Sequence, residues 1–166
     1  MNDTEVAALL DALTSHGVDF LMIGGYAVAA HGVLRATKDL DIVPRPSREN
    51  FERLQKAVES ADGEPILKGD DFDVAEMPMQ FSPEALIEGG GNWALETRFG
   101  QLDVLQNVEP EKPYSELYSR SMEIDVPGVS EKVHVVGYDD LIAMKTAAAR
   151  PRDLTDVADL ERARGN

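Results

Sequence analysis

The chain has 166 residues, a length typical of one domain, and its 43% hydrophobic and 28% charged residues are ordinary for a globular protein. The absence of cysteine excludes disulfides, thiolate metal sites and cysteine nucleophiles; with carboxylates and three histidines left as ligands, a bound metal would be a hard cation such as magnesium or manganese. The net charge of −15 argues against a general nucleic-acid-binding surface, because contacts to phosphates need clustered lysine and arginine.

Residues 3–15 predict an amphipathic helix. Apolar residues recur at Val6, Leu9 and Leu13, the spacing of one helix face, and Gly17 ends the pattern. The segment lacks the basic start and apolar stretch of a signal peptide, and no apolar run of about 18 residues could span a bilayer. We therefore expect a cytoplasmic protein without a membrane partner.

A strand, a glycine turn and a helix are predicted next. The apolar residues 18–23 end at Gly24 and Gly25, and the alanine-rich stretch after them closes at Gly32. Backbone N–H groups at a helix start, at the positive end of the helix dipole, can hold a phosphate, and glycine lets the phosphate approach the backbone. A Gly-Gly turn on its own is more often only a tight connection.

Two aspartates lie in the next predicted strand, residues 39–43. Successive side chains of a strand point to opposite faces, so Asp39 and Asp41 share one face while their apolar neighbours enter the core. Two close carboxylates repel each other, which makes a divalent cation their natural partner. The alternative is the polar face of a half-exposed strand, since this short pattern is frequent by chance.

Basic residues surround the aspartate pair. Residues 35–56 hold six basic and four acidic side chains, whereas residues 57–143 hold 19 acidic and only five basic ones. We interpret Arg35 and Lys38 as contacts for a polyanionic substrate. The remaining basic residues lie mostly in a helix predicted from its cap at Ser47 onwards, where a solvated face with Glu/Arg pairs is the better interpretation.

The middle of the chain predicts short strands and a third carboxylate. One or two strands within residues 64–81 surround an acidic turn, a helix starts at Ser82, and residues 93–107 suggest a hairpin whose second strand is 101–106. Asp103 lies between two apolar residues of that strand. If the two aspartate-bearing strands are neighbours, three carboxylates converge, as magnesium ions need for in-line displacement at phosphorus.

The C-terminal part predicts a short helix, two strands and two further helices. The helices cover residues 139–149 and 153–163 and are separated at Pro151. We expect one domain over residues 1–166, with a core of about residues 17–110 and C-terminal strands and helices over about 111–166. The expected architecture is a mixed sheet with helices mainly on one face, the metal site at its edge and a two-helix tail.

Together these motifs resemble the nucleotidyltransferase superfamily that includes DNA polymerase β and kanamycin nucleotidyltransferase. Its pattern is a hydrophobic residue and Gly-Gly or Gly-Ser, then, about a dozen residues later, Asp-hydrophobic-Asp/Glu-hydrophobic. Ile23–Gly25 and Asp39–Ile42 fill every position across a gap of 13 residues. Residues 24–43 are also similar to the bacterial minimal and AbiEii-like toxin branch, in which an Arg-x-Thr sequence, here Arg35 and Thr37, precedes the aspartates.

The tail extends this resemblance. In the toxin-like branch a late helix carries a lysine, and an aspartate follows after an arginine; residues 139–160 place Lys145, Asp153 and Asp156 in this pattern. Lys145 could pair with a triphosphate as a point charge, or be a surface residue. Asp153, with an acid three residues later, also fits a helix capping box.

The resemblance implies an α+β nucleotidyltransferase fold and a metal-dependent transfer of a nucleoside monophosphate from a nucleoside triphosphate to an acceptor hydroxyl. The acceptor would be an RNA or tRNA end, a side chain of a basic partner protein or a small molecule. A toxin role with a cognate antitoxin is also implied. The alternatives are a non-catalytic binding module of the same fold and a plain acidic interaction domain.

The implied site residues fall into three groups. Those implied to be catalytic are Asp39, Asp41, Asp103 and Lys145, and those implied to hold Mg²⁺ or Mn²⁺ are Asp39, Asp41 and Asp103. The residues implied to contact the triphosphate are Gly24, Gly25, Arg35, Thr37 and Lys38. Trp93 could stack on a base or anchor its loop.

Overall fold

The computed structural model describes residues 1–66 and 80–165. Its α-helices are α1 (Asp3–Ser15), α2 (Gly24–Ala30), α3 (Arg48–Ser60), α4 (Tyr114–Ser119), α5 (Tyr138–Ala148) and α6 (Pro151–Arg164), and a π-helical turn covers Ala85–Gly89. Its strands are β1 (Phe20–Ile23), β2 (Asp39–Pro44), β3 (Glu64–Ile66), β4 (Asn92–Thr97), β5 (Gly100–Leu105), β6 (Met122–Ile124) and β7 (Val133–Val135). Within these described residues, every helix is too short or too polar to cross a membrane.

The described strands form one mixed sheet in the order β3-β4-β5-β2-β1-β7-β6. The pairs β2–β5 and β1–β7 are parallel. The pairs β1–β2, β3–β4, β4–β5 and β6–β7 are antiparallel. The mixed sheet and the C-terminal helical pair agree with the architecture expected from the sequence.

Strand alternation places the core and the polar residues on opposite faces of β2 and β5. Leu40, Ile42, Leu102 and Val104 are fully buried. The two strands pair in a register that sets Asp41 opposite Asp103 and Leu40 opposite Leu102. The aspartates therefore share one face because their apolar neighbours are needed on the other.

Helix α3 is fixed to the sheet by its first turn. Ser47 accepts a hydrogen bond from the Asn50 N–H, which is the cap predicted from the sequence. The fully buried Asn50 side chain bonds both the N–H and the C=O of Asp19, at 2.8 Å each. These bonds join α3 to the residue just before β1, the strand that leads into the candidate site.

Several predicted boundaries differ from the structure. Gly24 and Gly25 form the first turn of α2 rather than a turn before it. Helix α6 begins at Pro151, because proline at a first helical position loses no intrahelical hydrogen bond. Ser82 does begin a helical segment, but its continuation is π-helical. Residues 67–79, which include the predicted acidic turn, lie outside the described residues.

The expectation that the metal site lies at the edge of the sheet was wrong. Strands β2 and β5 are central, each with a paired strand on both sides. Leu40, Ile42, Leu102 and Val104 are 0% exposed, as suits strands covered by neighbours on both sides, but the position of each strand in the sheet depends on pairings between distant parts of the chain.

Candidate active site

Three aspartates converge on the polar face of the two central strands. Oxygen atoms of Asp39, Asp41 and Asp103 all lie within 4.8 Å of one another. Asp103 is 6% exposed, and its Oδ1 accepts a hydrogen bond of 2.8 Å from Gln101 Nε2. The predicted convergence is therefore present, and three carboxylates at this spacing suit a hard divalent cation.

The glycines at the start of α2 pack directly against this triad. Gly24 has φ +67°, and a Cβ atom there would overlap the Asp41 carboxylate. A Cβ atom on Gly25 would overlap Arg35 and Thr37. Glycine is therefore required at both positions by side-chain packing, while the access of a phosphate to the backbone stays a prediction from the sequence.

The residues before β2 differ in their position relative to the triad. Thr37 Oγ1 lies 3.3 Å from Asp39 Oδ1 and 3.3 Å from the Asp39 carbonyl oxygen. Arg35 lines the cleft that contains the aspartates, and its Nε lies 3.0 Å from Asp156 Oδ1. Lys38 is exposed and is not part of the described cleft lining.

Lys145 is buried between two carboxylates. Its Nζ lies 2.9 Å from Asp153 Oδ1 and 2.9 Å from Asp156 Oδ2, and the residue is only 6% exposed. The surface interpretation of Lys145 is therefore wrong. The capping interpretation of Asp153 is wrong as well, because Arg150 occupies the N-cap position of α6 and no side chain caps this helix.

Arg150 was missed by the sequence analysis. Its Nε donates a 2.6 Å hydrogen bond to Asp153 Oδ2, while its side chain stays 75% exposed and lines the cleft. The bond to Asp153 raises the Arg150 pKa; burial acts the other way, and the charges of Asp153, Asp41 and Asp39 raise it further. Arg150 is thus within electrostatic reach of the triad.

Asp153 stays ionised despite its burial. Burial alone would raise its pKa, but hydrogen bonds from Arg150 and Lys145, with their positive charges, outweigh that effect and lower it. Arg152, the residue before Asp153, donates a hydrogen bond to the Ala36 carbonyl. This bond joins α6 to the segment before β2. In the sequence, the two arginines that flank Pro151 could have indicated that this segment contributes basic residues to the cleft.

The aspartates open into a cleft of about 1110 Å³. Its basic lining residues come from the segment before β2 and from α5 and α6: Arg35, Lys145, Arg150 and Arg152. The lining also includes residues of the π-helical turn, of β4, and of the end of β5 with the segment that follows it, among them Trp93 and Glu109. Trp93 also makes an edge-to-face contact with Phe81, at 5.5 Å between ring centroids.

The sequence matches one protein-family model. The model is described as "Nucleotidyl transferase AbiEii toxin, Type IV TA system" and matches residues 8–166. A search of curated proteins finds no match. The family match spans the glycine turn, all three aspartates and the C-terminal helical pair.

Solved structures share the fold at low sequence identity. The lincosamide antibiotic adenylyltransferase LnuA, bound to lincomycin, has a TM-score of 0.64 and 14% identity, with 97% of each chain covered. ANT(2'')-Ia in complex with adenylyl-2''-tobramycin has a TM-score of 0.57 and 15% identity, covering 95% of this chain and 86% of that one. An antigenic nucleotidyltransferase-like protein from Paracoccidioides brasiliensis has a TM-score of 0.54 and 17% identity, covering 97% and 74%. The expected nucleotidyltransferase fold is confirmed.

Proposed function

The chain belongs to the AbiEii nucleotidyl transferase toxin family and is a nucleotidyltransferase, and on that premise we propose that it uses a divalent cation to move a nucleoside monophosphate from a nucleoside triphosphate to an acceptor hydroxyl. The observation that carries this proposal is the convergence of the oxygens of Asp39, Asp41 and Asp103 within 4.8 Å, beside the start of α2. The triphosphate would lie between this triad and the basic residues of the cleft.

The chemistry of the triad fits Mg²⁺ or Mn²⁺. The ligands are carboxylate oxygens, which hard cations prefer, and the chain has no cysteine to favour a softer metal. Such a cation would neutralise charge on the phosphate oxygens and lower the pKa of the attacking hydroxyl. Asp39 and Asp41 would hold it, with Asp103 as the third ligand.

We assign to Asp103 the orientation of the acceptor hydroxyl and the acceptance of its proton. The Gln101 amide fixes one oxygen of this buried carboxylate, which leaves its orientation defined. The acceptor oxygen then bonds to the α-phosphorus, and the bond from that phosphorus to the bridging oxygen breaks. Pyrophosphate leaves with the electron pair, so catalysis rests on positioning and charge neutralisation without a protein nucleophile.

The basic residues that line the cleft, which we name the basic wall, would hold the leaving phosphates; they are Arg35, Lys145, Arg150 and Arg152. The N–H groups of Gly24 and Gly25 lie at a helix start, where a phosphate is favoured. Lys145 can turn towards a phosphate because its two partners each have a second cation: Asp153 has Arg150, and Asp156 has Arg35. Among the other predicted contacts, Thr37 would act by orienting Asp39, and the exposed Lys38 by attracting the nucleotide from solution.

Label transfer tests this function. Wild-type protein, Asp39→Asn and Asp62→Asn are incubated with each α-labelled nucleoside triphosphate, with Mg²⁺ or Mn²⁺, and with total bacterial RNA, basic proteins, tobramycin or lincomycin. We expect metal-dependent transfer that falls at least about 1,000-fold in Asp39→Asn, since a lost metal ligand removes charge stabilisation of the transition state. Asp62, an exposed residue paired with Arg98, is the matched control and should keep full activity. Full turnover in Asp39→Asn would contradict the assignment of Asp39 as a ligand of the catalytic cation.

A toxin role with a cognate antitoxin is proposed from the family description. Induced expression in bacteria should slow growth with the wild type and not with Asp39→Asn at equal protein level. Equal growth inhibition by both proteins would separate toxicity from nucleotide transfer. The cytoplasmic location expected from the sequence stays a prediction, and it would suit an enzyme that consumes nucleoside triphosphates.

A further inference from the structure

One segment that lines the cleft is neither helix nor strand. Residues 106–113 connect β5 to α4, and we name them the connecting segment. Within it, Asn107, Val108 and Glu109 line the cleft. A segment without regular secondary structure keeps its position only through contacts with other elements, so those contacts determine the shape of this part of the cleft.

Two side-chain amides hold the start of the connecting segment. Asn92 Oδ1 accepts hydrogen bonds from the N–H groups of Gln106 at 3.0 Å and Asn107 at 3.1 Å, and its Nδ2 donates to the Asn107 carbonyl. Gln106 Nε2 donates to the carbonyls of Leu86 and Gly91. The segment is thus fixed at its β5 end against the π-helical turn and the start of β4.

Lys112 holds the other end of the connecting segment. Its Nζ donates a hydrogen bond of 2.7 Å to Oδ1 of Asp140, in the first turn of α5. Residues that follow in this helix also line the cleft, namely Leu141, Met144 and Lys145. The bond between Lys112 and Asp140 therefore joins two elements that line the same cleft.

The connecting segment has few other contacts that could replace this bond. Val108 packs against the hydrophobic core, but no hydrogen bond joins residues 108–111 to the rest of residues 1–66 and 80–165. Lys112 is also the only basic residue between Arg98 and Arg120 in the sequence. The position of the segment relative to α5 therefore depends on Lys112.

The buried Asp140 carboxylate is already neutralised without Lys112. Arg120 Nε donates to Asp140 Oδ2 at 2.8 Å and Arg120 Nη2 donates to Asp140 Oδ1 at 2.9 Å, so one guanidinium group bonds both carboxylate oxygens. Such a bidentate pair compensates the burial of Asp140, which is 3% exposed. The bond from the partly exposed Lys112 is additional to that pair.

We propose, resting on the function proposed above, that Lys112 is a positioning residue for nucleotide transfer. By bonding Asp140 it holds the connecting segment against α5, so that residues 107–109 are in place before the substrates bind. Arg120, in contrast, neutralises the buried carboxylate and stabilises the fold. Without the Lys112 bond the segment has to become ordered when a substrate binds, and the lost conformational entropy weakens binding.

Steady-state kinetics and thermal melts of two variants separate these roles. The substrates are the nucleoside triphosphate and the acceptor that give the most transfer in the labelling assay above. In Lys112→Met we expect the KM for at least one of them to rise at least about fivefold, with kcat within about twofold of the wild type. In Arg120→Gln the melting temperature should fall by several degrees, at least twice the loss in Lys112→Met, while both KM values stay unchanged.

A measurement without substrates tests the attachment of the segment directly. In ¹⁵N NMR relaxation, the heteronuclear NOE of the amides within residues 108–111 reports motion on the picosecond-to-nanosecond timescale. We expect this NOE to fall in Lys112→Met. It should keep its wild-type value in Lys112→Arg, which can still bond Asp140, and the KM values should do the same.

Lys132→Met is the matched control. It removes an exposed lysine that pairs with Glu123 at 3.5 Å, outside the described cleft lining, and should alter neither the NOE nor the KM values. An unchanged NOE in Lys112→Met, a lowered NOE with both KM values unaltered, or equal effects in Lys132→Met would overturn the inference. Failure of the wild type to transfer any label would contradict the proposed function itself, and the NOE comparison would still decide whether Lys112 holds the segment.

Discussion

Gly24 is the residue at which backbone conformation and the triad depend most directly on each other. Its φ is +67°, and a Cβ atom there would overlap the Asp41 carboxylate. We expect Gly24→Ala to lower nucleotide transfer at least about 100-fold, because a displacement of about 1 Å in a positioned group can cost that much. Stability should fall by about 1–2 kcal/mol from the positive φ alone. Initial rates and thermal melts measure the two effects.

Gly128→Ala is the matched control for this prediction. Gly128 has φ +87°, so alanine meets a similar backbone penalty, but its added Cβ would find only ordinary contact with Ala7 at 3.7 Å. We expect this variant to lose comparable stability and to keep its activity. Equal loss of activity in both variants would mean that general destabilisation, and not the position of Asp41, explains the effect.

Sequence alone located some site residues and misread others for a physical reason. Asp39, Asp41 and Asp103 could be predicted because strand alternation is local and fixes which side chains share a face. Lys145 was implied to be catalytic only by the family resemblance, and the burial of Lys145 and Asp153 could not be predicted because it depends on how α5 packs against α6. Seen locally, a lysine in a helix looks exposed and an aspartate at a helix start looks like a cap.

At the scale of elements, the first turn of α5 is held by a buried carboxylate. Asp140, 3% exposed, accepts hydrogen bonds from Arg120 Nε at 2.8 Å, Arg120 Nη2 at 2.9 Å and Lys112 Nζ at 2.7 Å. The bond from Arg120 lowers the Asp140 pKa most; burial opposes this, and the bond and charge of Lys112 lower it further. These contacts join α5 to the end of α4 and to the segment after β5.

We expect Asp140→Asn to lower the free energy of unfolding by about 2 kcal/mol at pH 7, in the range of charge-assisted hydrogen bonds. Because the folded pKa is lowered, this contribution is complete above the unfolded value near 4 and is lost as the pH falls through the folded value. Urea titrations at pH 7 and at steps below pH 4 should show the gap to wild type narrowing. A gap that stays constant on acidification would contradict the role of the ionised carboxylate.

Asp139→Asn provides the control beside it in sequence. The Asp139 side chain is 87% exposed and pairs with the exposed Arg164, so its change should alter stability by less than about 0.5 kcal/mol. The sequence shows two adjacent aspartates and no sign of which one is buried. Only the packing of α5 beside Arg120 separates them.

For the whole molecule, most helices and strands could be predicted from the sequence, but their arrangement could not. Hydrophobic periodicity and glycine and proline positions are local signals, and they indicated α1, α3, the β4–β5 hairpin and the C-terminal pair. The parallel pairing of β2 with β5 joins strands more than fifty residues apart, and β7 pairs with β1 across most of the chain. Such pairings depend on how the entire sheet is buried, and a short sequence pattern does not contain that information.

The net charge of −15 is unevenly distributed, and this leads to a prediction for salt dependence. The molecule as a whole repels an anionic nucleotide and attracts a cationic acceptor, and added salt screens both effects beyond a Debye length of about 10 Å at 0.1 M. Between about 50 and 300 mM KCl, at constant free Mg²⁺, the KM for the nucleoside triphosphate should change less than about twofold, since screened repulsion offsets the weakened contacts of the basic wall. The KM for a cationic acceptor such as tobramycin should rise several-fold, because salt screens its attraction to the acidic molecule. Steady-state rates across the salt series measure both constants, and sucrose serves as an uncharged control. A steep rise in the KM for the nucleotide would instead indicate that the basic wall dominates the electrostatic field around the cleft.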